Sequence, residues 1–230
     1  MRVLALALLL AAPAFAQGRT AAPLPDTTAA RYGTSGAVVL ALTEYGLDAG
    51  GAFRARLTDD LSLTAEVSIG AGRDEREQSF SGLFGERITP FKRNYLLILP
   101  FRLGLERRLF RQQVEDNFRP FVQMSGGPTL GLLWPYFDDI DGNGQRSEGE
   151  ERLGAFAGLG DADVRLGLGA TVAVGAAFGR RSAQSLRFGL RGDYFPVEVE
   201  LLETAPNVDD PSRQIFLTPV VSFHVGRLWE

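Results

Sequence analysis

Twelve residues hold the densest chemistry in this chain: Asp139-Ile140-Asp141-Gly142-Asn143-Gly144-Gln145-Arg146-Ser147-Glu148-Gly149-Glu150. Their spacing fits the calcium-loop pattern D-x-[DN]-x-[DN]-G-x₅-E. Calcium is a hard cation that takes roughly six to eight oxygens. Asp139, Asp141 and Asn143 stand at the first, third and fifth loop positions and would supply side-chain oxygens. Gly144 would allow the sharp turn, Gln145 would offer its carbonyl, Ser147 a contact through water, and Glu150 two oxygens. The eighth position is Arg146 where such loops carry a branched apolar residue, and the flanks read as strand ends rather than helices. The competing interpretation is a solvated acidic loop. The expected ligands of a Ca2+ ion are Asp139, Asp141, Asn143, Gln145 and Glu150.

The only histidine, His224, stands two residues from Ser222, a spacing that invites a serine–histidine hydrolase reading. Its place six residues before the end of the chain argues against a site that a lipid substrate could enter. No catalytic residue and no organic cofactor is expected, and the chain is read as a non-enzyme. Phosphate-binding glycine loops, helical zinc motifs and kinase signatures are absent from the sequence. Cysteine is absent too, which removes disulfides, a lipid-modified N-terminal cysteine and thiolate metal sites. A net charge of −4 leaves no basic footprint for nucleic acid.

The elements that would position these residues are strands. From Val164 to Phe178 apolar residues occupy every second place, and Arg165, Gly167, Gly169, Thr171, Ala173, Gly175 and Ala177 fill the gaps. Alternate side chains on a strand point to opposite faces, whereas a helix would scatter the apolar residues around its surface. Seven further segments read the same way: Gly36 to Glu44, Asp48 to Leu57, Leu61 to Gly72, Tyr95 to Phe110, Arg119 to Trp134, Ser185 to Leu202 and Gln214 to Trp229. In the penultimate one the phase is expected to flip at Phe195-Pro196, setting Val197, Val199 and Leu201 on the greasy side. Arg54, Arg56, Glu66, Arg102, Glu106, Arg165, Arg187, Arg191, Asp193 and His224 share the opposite, inward parity.

Connections alternate between short and long. Thr58-Asp59-Asp60 is tight, Arg73 to Asn94 and Pro135 to Gly160 are long, and aromatics gather at the segment ends. Transmembrane barrels have short periplasmic turns, longer outer loops and two aromatic girdles. A secreted β-sandwich would also alternate, with its greasy faces packed together. The strand lengths, the loop rhythm and the Gly-rich inner face favour the barrel. Residues 1–16 read as a secretory signal: Arg2, an apolar run from Val3 to Ala12, then Ala14-Phe15-Ala16 as the cleavage site. Residues 17–35 read as a periplasmic leader rich in Ala, Thr and Pro, and 36–230 as the barrel.

The segment Ser222-Phe223-His224-Val225-Gly226-Arg227-Leu228-Trp229-Glu230 resembles the C-terminal signal read by the barrel assembly machinery, although it ends on Glu230 rather than an aromatic. With it, residues 36 to 230 resemble the small eight-stranded outer-membrane barrels of the OmpA/OmpX and opacity-protein type. The resemblance implies an all-β, eight-stranded antiparallel up-and-down transmembrane barrel in the outer membrane of a Gram-negative bacterium. Its implied partners are outer-membrane lipid and the assembly machinery, and its implied state is a monomer. Such barrels serve as structural proteins and adhesins, as narrow pores, or more rarely as lipid-modifying enzymes, and fold alone does not choose among these. The expected role is structural or surface interaction through the outer loops. An eight-stranded barrel encloses little more than its own side chains, so the inward charges are expected to form a salt-bridged plug. In that plug, Arg54 is expected beside Thr64 and paired with Glu66.

Overall fold

The computed structural model describes residues 34–74, 76–77, 80–81, 87–110, 113–114, 117–147, 149–179, 184–203 and 212–229. The signal at 1–16 and nearly all of the leader lie outside them. Eight strands close into one antiparallel barrel: β1 (Thr34–Thr43), β2 (Gly46–Arg56), β3 (Leu61–Gly72), β6 (Asn94–Arg108), β7 (Phe118–Pro135), β8 (Asp163–Phe178), β9 (Gln184–Glu200) and β10 (Ser212–Trp229). The pairs β4 (Phe80–Ser81) and β5 (Arg87–Ile88) form a small hairpin within the loop that follows β3. Each barrel strand pairs with its neighbour in sequence, and β1 closes on β10 from Thr34 opposite Trp229 to Thr43 opposite Val220. Closure removes every free edge, which is the condition for strands to cross a membrane.

The alternation has the physical outcome it implies. Val164, Leu166, Leu168, Val172 and Val174 are exposed on the outside of β8, as are Phe101, Leu103 and Leu105 on β6 and Phe223 and Val225 on β10. A continuous apolar band of this size, facing away from the protein, is the surface of a transmembrane barrel rather than of a soluble one. The lumen side carries Arg54, Arg102, Glu106, Arg187, Arg191, Asp193 and His224, all buried. Two of the charges expected inside lie at the rims. Arg56 is exposed and pairs with Asp59 of the adjoining turn, and Arg165 is half-buried against Asp163. Both stand at or near strand ends, where the barrel opens to water.

The outer mouth departs from the sequence reading. Val197 is exposed, but Val199 and Leu201 are fully buried, together with Phe195. They pack inside the barrel with Leu96, Ile98, Leu133 and Phe216, and Tyr45 closes against them. The irregularity near Pro196 is present: Tyr194 pairs with Ile215 and Val199 with Arg213, so the residues between them on β9 face a single residue, Gln214. Alternation reports which residues share a face, not whether a greasy face meets lipid or a sealed mouth. The outer aromatics show a similar difference. Trp134 and Tyr136 are buried because the loop after β7 folds back over them, with the Trp134 indole donating to the Ala155 carbonyl at 3.0 Å. At the other end Phe118 and Phe178 meet at a tilt, ring centroids 5.7 Å apart, as one part of the expected lower girdle. The side chain of Trp229 lies outside the described residues.

Candidate functional site

The loop between β7 and β8 carries the twelve-residue motif. A short antiparallel neck holds it: Phe137 bridges Arg152, the Asp138 amide donates to the Glu151 carbonyl at 3.0 Å, and the Leu153 amide to that of Tyr136 at 2.9 Å. Thus β-type pairing closes the base of this loop, where a helix pair closes the calcium loops whose spacing it shares. Beyond the neck the chain wraps. Asp139 accepts from the Gly144 amide at 2.9 Å, Asp141 from that of Asn143 at 3.1 Å, and Asn143 from that of Gln145 at 2.6 Å. Gly144 has φ +71° and Gly142 φ +70°, the left-handed region where only glycine is free of a Cβ penalty. Glu150 reaches back into the loop, its two oxygens accepting from the Ile140 and Ser147 amides at 2.9 and 2.7 Å.

These bonds bring Asp139, Asp141 and Glu150 together, with one carboxylate oxygen of each within 4.8 Å of the others. Such a spacing fits oxygens around one ion, given calcium–oxygen distances of about 2.3–2.6 Å. Asp139 and Asp141 are exposed and Glu150 is buried, an anchored ligand facing two that water can reach. Asn143 sits on Asp141, with its side-chain amide 2.7 Å from that carboxylate, and Gln145 follows with its backbone bonded to Asn143. Arg146, the residue at odds with the motif, braces the loop by donating to the Glu150 carbonyl at 3.3 Å. The donor set is all oxygen and hard, as calcium requires.

Neighbouring loops support this one. Glu203, after β9, is buried beside Arg146. Burial pushes its carboxyl up, and the Arg146 amide and guanidinium only partly offset that. Arg93 lies against Gly144 and pairs with Glu200. Lys92 bridges Leu202 through its backbone and holds Glu77 at 2.8 Å through its ammonium. Asp74 is held by Arg76 and Arg213, each at 2.9 Å. Burial alone would raise the Asp74 carboxyl, but the Arg76 bonds and the charges of Arg213 and Arg76 outweigh it and hold the group below the usual carboxylate range.

Inside the barrel the charges are interlinked. Arg54 meets Glu106 at 3.1 Å, and Arg187 meets Glu66 at 3.4 Å and Glu106 at 3.5 Å. Arg191 joins Asp48 at 2.6 Å to Asp193 at 3.3 Å, and Arg102 pairs with Asp193. Gln123 and Thr129 complete the net at 2.5 Å from Arg187 and 2.6 Å from Asp193. The register is as expected, with Arg54 opposite Thr64, but the partner is not. Arg54 reaches past β3 to Glu106 on β6, two strands away, and Glu66 takes Arg187 from β9 on the far wall. In so narrow a barrel, cross-lumen reach competes with neighbours on adjacent strands. Arg102 also donates to the carbonyls of Gly127 and Pro128 at 3.3 and 3.1 Å, where β6 and β7 lack ladder pairs. Two voids lined by inward-facing residues measure about 40 and about 10 Å³, each with room for no more than a few water molecules.

His224 does not form a hydrolase relay. Ser222 and Glu66 both approach the same ring nitrogen, Nε2, at 3.4 and 3.8 Å. A base–nucleophile pair oriented by an acid needs the acid on the opposite nitrogen. Asp48 is one of the inward charges that the sequence reading missed, with Arg108 and Arg119 at the other end of the barrel. Asp48 shares the parity of Arg54 on β2, but it stands at the outer edge of the segment, where inward residues are hard to tell from loop residues.

No protein-family model matches this chain, and no curated protein matches it in sequence. Similar solved structures include Neisserial surface protein A (11% identity, TM-score 0.39, covering 85% of this chain and 94% of that one). The N-terminal β-barrel domain of OprF from Pseudomonas aeruginosa is similar at 10% identity and TM-score 0.38, covering 84% of this chain and 96% of that one. A third is Ail, the attachment invasion locus protein of Yersinia pestis, solved with the heparin analogue sucrose octasulfate (8% identity, TM-score 0.37, covering 86% of this chain and 97% of that one). By its own topology and surface, the chain is a small eight-stranded antiparallel up-and-down transmembrane β-barrel.

Proposed function

We propose that this chain is a plugged outer-membrane barrel of a Gram-negative bacterium. It serves a structural or surface-interaction role through its outer loops, one of which is ordered by calcium. The observation that carries the reading is the contrast between lumen and loops. The lumen is filled by paired arginines and carboxylates, whereas the outer connections are knitted together around a wrapped, all-oxygen loop. Asp139, Asp141, Asn143 and Glu150 would hold the ion, with the Gln145 carbonyl. Lipid contacts the apolar band, and the assembly machinery reads the last strand. The barrel needs no second copy, because all its edges are paired.

No helix pair closes over the ion, so affinity should fall in the extracellular-module range of ~10⁻⁴–10⁻³ M. Millimolar calcium should protect the segment between Asp138 and Arg152 from protease, and Asp141→Ala with Glu150→Ala should abolish that protection. Equal cleavage of the wild type in calcium and in chelator would leave only an acidic loop. Against the narrow-pore alternative stand the paired charges that span the lumen and the water-sized voids between them. Planar-bilayer recordings should show no channel steps from the folded chain, and reproducible conductance would sink the plugged reading.

A further inference from the structure

Two strands that are not neighbours in the barrel meet above its mouth. In the ring, β7 and β8 separate β6 from β9. Yet the chain entering β6 pairs with the chain leaving β9: Lys92 bridges Leu202 in antiparallel fashion. The Arg93 amide donates to the Leu201 carbonyl at 2.9 Å, and the Glu203 amide to that of Phe91 at 2.8 Å. The Asn94 side chain adds a bond to the Glu200 carbonyl at 2.7 Å. The cause lies in β9. Its ladder with β8 stops at Tyr194 opposite Leu168, although β8 runs on to Asp163. Past the Pro196 irregularity β9 leaves the wall and turns in over the mouth, carrying Val199 and Leu201 into the seal. Gly131 and Gly167 leave room for the Phe195 ring, where a Cβ would come within 3.0 and 2.8 Å.

The same splice is bolted to the twelve-residue loop. Arg93 is the shared part. Its amide holds β9, its carbonyl accepts from the Tyr136 amide at 2.9 Å, and its guanidinium lies against Gly144 while pairing with Glu200. From the other side, the Arg146 amide donates to the Glu203 carboxylate. The turn into the splice is strained: Phe91, a bulky and exposed residue, has φ +58°. Strain stored there favours release, so the splice holds only while its partners on both sides are in place.

We propose that this splice is a latch that couples the seal of the lumen to the Asp139–Glu150 loop, so that ordering the loop holds the mouth shut. Coupling between two segments is reciprocal: closing the latch must order the loop by the same factor by which an ordered loop closes the latch. That calcium is the ordering agent rests on the reading given above; the coupling itself does not.

The test uses the whole chain folded in phosphatidylcholine vesicles. The chain has no cysteine, so Lys92→Cys with Leu202→Cys introduces a single pair. Hydrogen bonds flank that pair rather than join it, which sets its Cα atoms about 4.5 Å apart, within the span of a disulfide. In chelator, closing this disulfide should slow protease cleavage between Asp138 and Arg152 about fivefold relative to the same variant reduced, the low end of coupling between sites. In the wild type, millimolar calcium should slow amide exchange at Arg93 and Glu203 by a similar factor and leave β1 and β2 unchanged. Should the cysteine pair block folding, Arg93→Gln in chelator should speed cleavage of the loop about fivefold. Equal cleavage of the oxidised and reduced forms, or of Arg93→Gln and wild type, overturns the latch even where calcium binds. Calcium that protects the loop but not the Arg93 and Glu203 amides overturns it as well. Slower cleavage on oxidation, with no effect of calcium on either segment, supports the latch and overturns the calcium reading.

Discussion

Glu106 is fully buried and faces two guanidinium groups, from Arg54 and Arg187. A charge in that position is tolerated only because its partners are buried with it. Removing Glu106 should leave two buried guanidinium groups short of a carboxylate and cost ~3–5 kcal/mol, as for other broken buried pairs. A double-mutant cycle on Arg54→Met and Glu106→Gln, read by urea unfolding from lipid vesicles, should show coupling of ~0.5–3 kcal/mol. The same cycle on Arg54 and Glu66 should be closer to additive, because Glu66 takes Arg187 instead. The reverse ranking would restore the pairing that strand adjacency suggested. Thr129 is a quieter member of the same net: it is fully buried and bonds Asp193 at 2.6 Å, fixing the carboxylate that Arg102 and Arg191 share.

At the scale of elements, charge pairs tie the described parts of the outer loops to one another and to the barrel. Asp74 ties the loop after β3 to Arg213 on β10, and its carboxyl lies below the ordinary aspartate range. A depressed carboxylate contributes stability that is present above the unfolded value, about 3.9, and lost as pH falls through the folded one. Hydrogen exchange at Glu77, whose amide donates to the Asp74 carbonyl at 3.0 Å, should report this. Asp74→Asn should speed that exchange at neutral pH, and the difference from wild type should shrink once the pH drops below the folded value. A constant difference across the acid range would show that Asp74 is not the anchor. Glu203 has the opposite sign. Its raised carboxyl contributes most below the ordinary glutamate range, and that contribution is lost as pH rises through its folded value. The two loops thus respond to acid in opposite directions.

The whole molecule is a barrel turned inside out relative to a soluble fold, with leucines in the solvent and arginines in the core. Leu168 is exposed near the middle of β8, opposite Pro128 on β7 and Tyr194 on β9. Leu168→Arg should cost ~2–4 kcal/mol, the expected penalty for a basic side chain at the bilayer midplane. The penalty should depend on bilayer thickness. Thr171→Arg, directed at the lumen, should destabilise through crowding, with no such dependence. Refolding into vesicles of several acyl-chain lengths separates the two, and a thickness-independent Leu168→Arg would argue that this wall does not meet lipid.

Strand number, strand limits, the wall that faces lipid and the wrapped form of the Asp139–Glu150 loop were all legible in the residues. Each depends on local rules: a period of two, the turn residues, and Asx-type spacing within twelve residues. The Leu61-to-Gly72 segment is β3 to the residue, because its alternation is unbroken and a tight turn sets its start. What the sequence could not settle depends on closure. Glu66 takes Arg187 and Arg54 takes Glu106 because the closed barrel brings β9 opposite β3, within reach of one side chain. Val199 and Leu201 face inward because the mouth must be sealed, and Trp134 is covered because a loop returns over it. Alternation assigns residues to faces; only the closed sheet and its folded-back loops decide what each face touches.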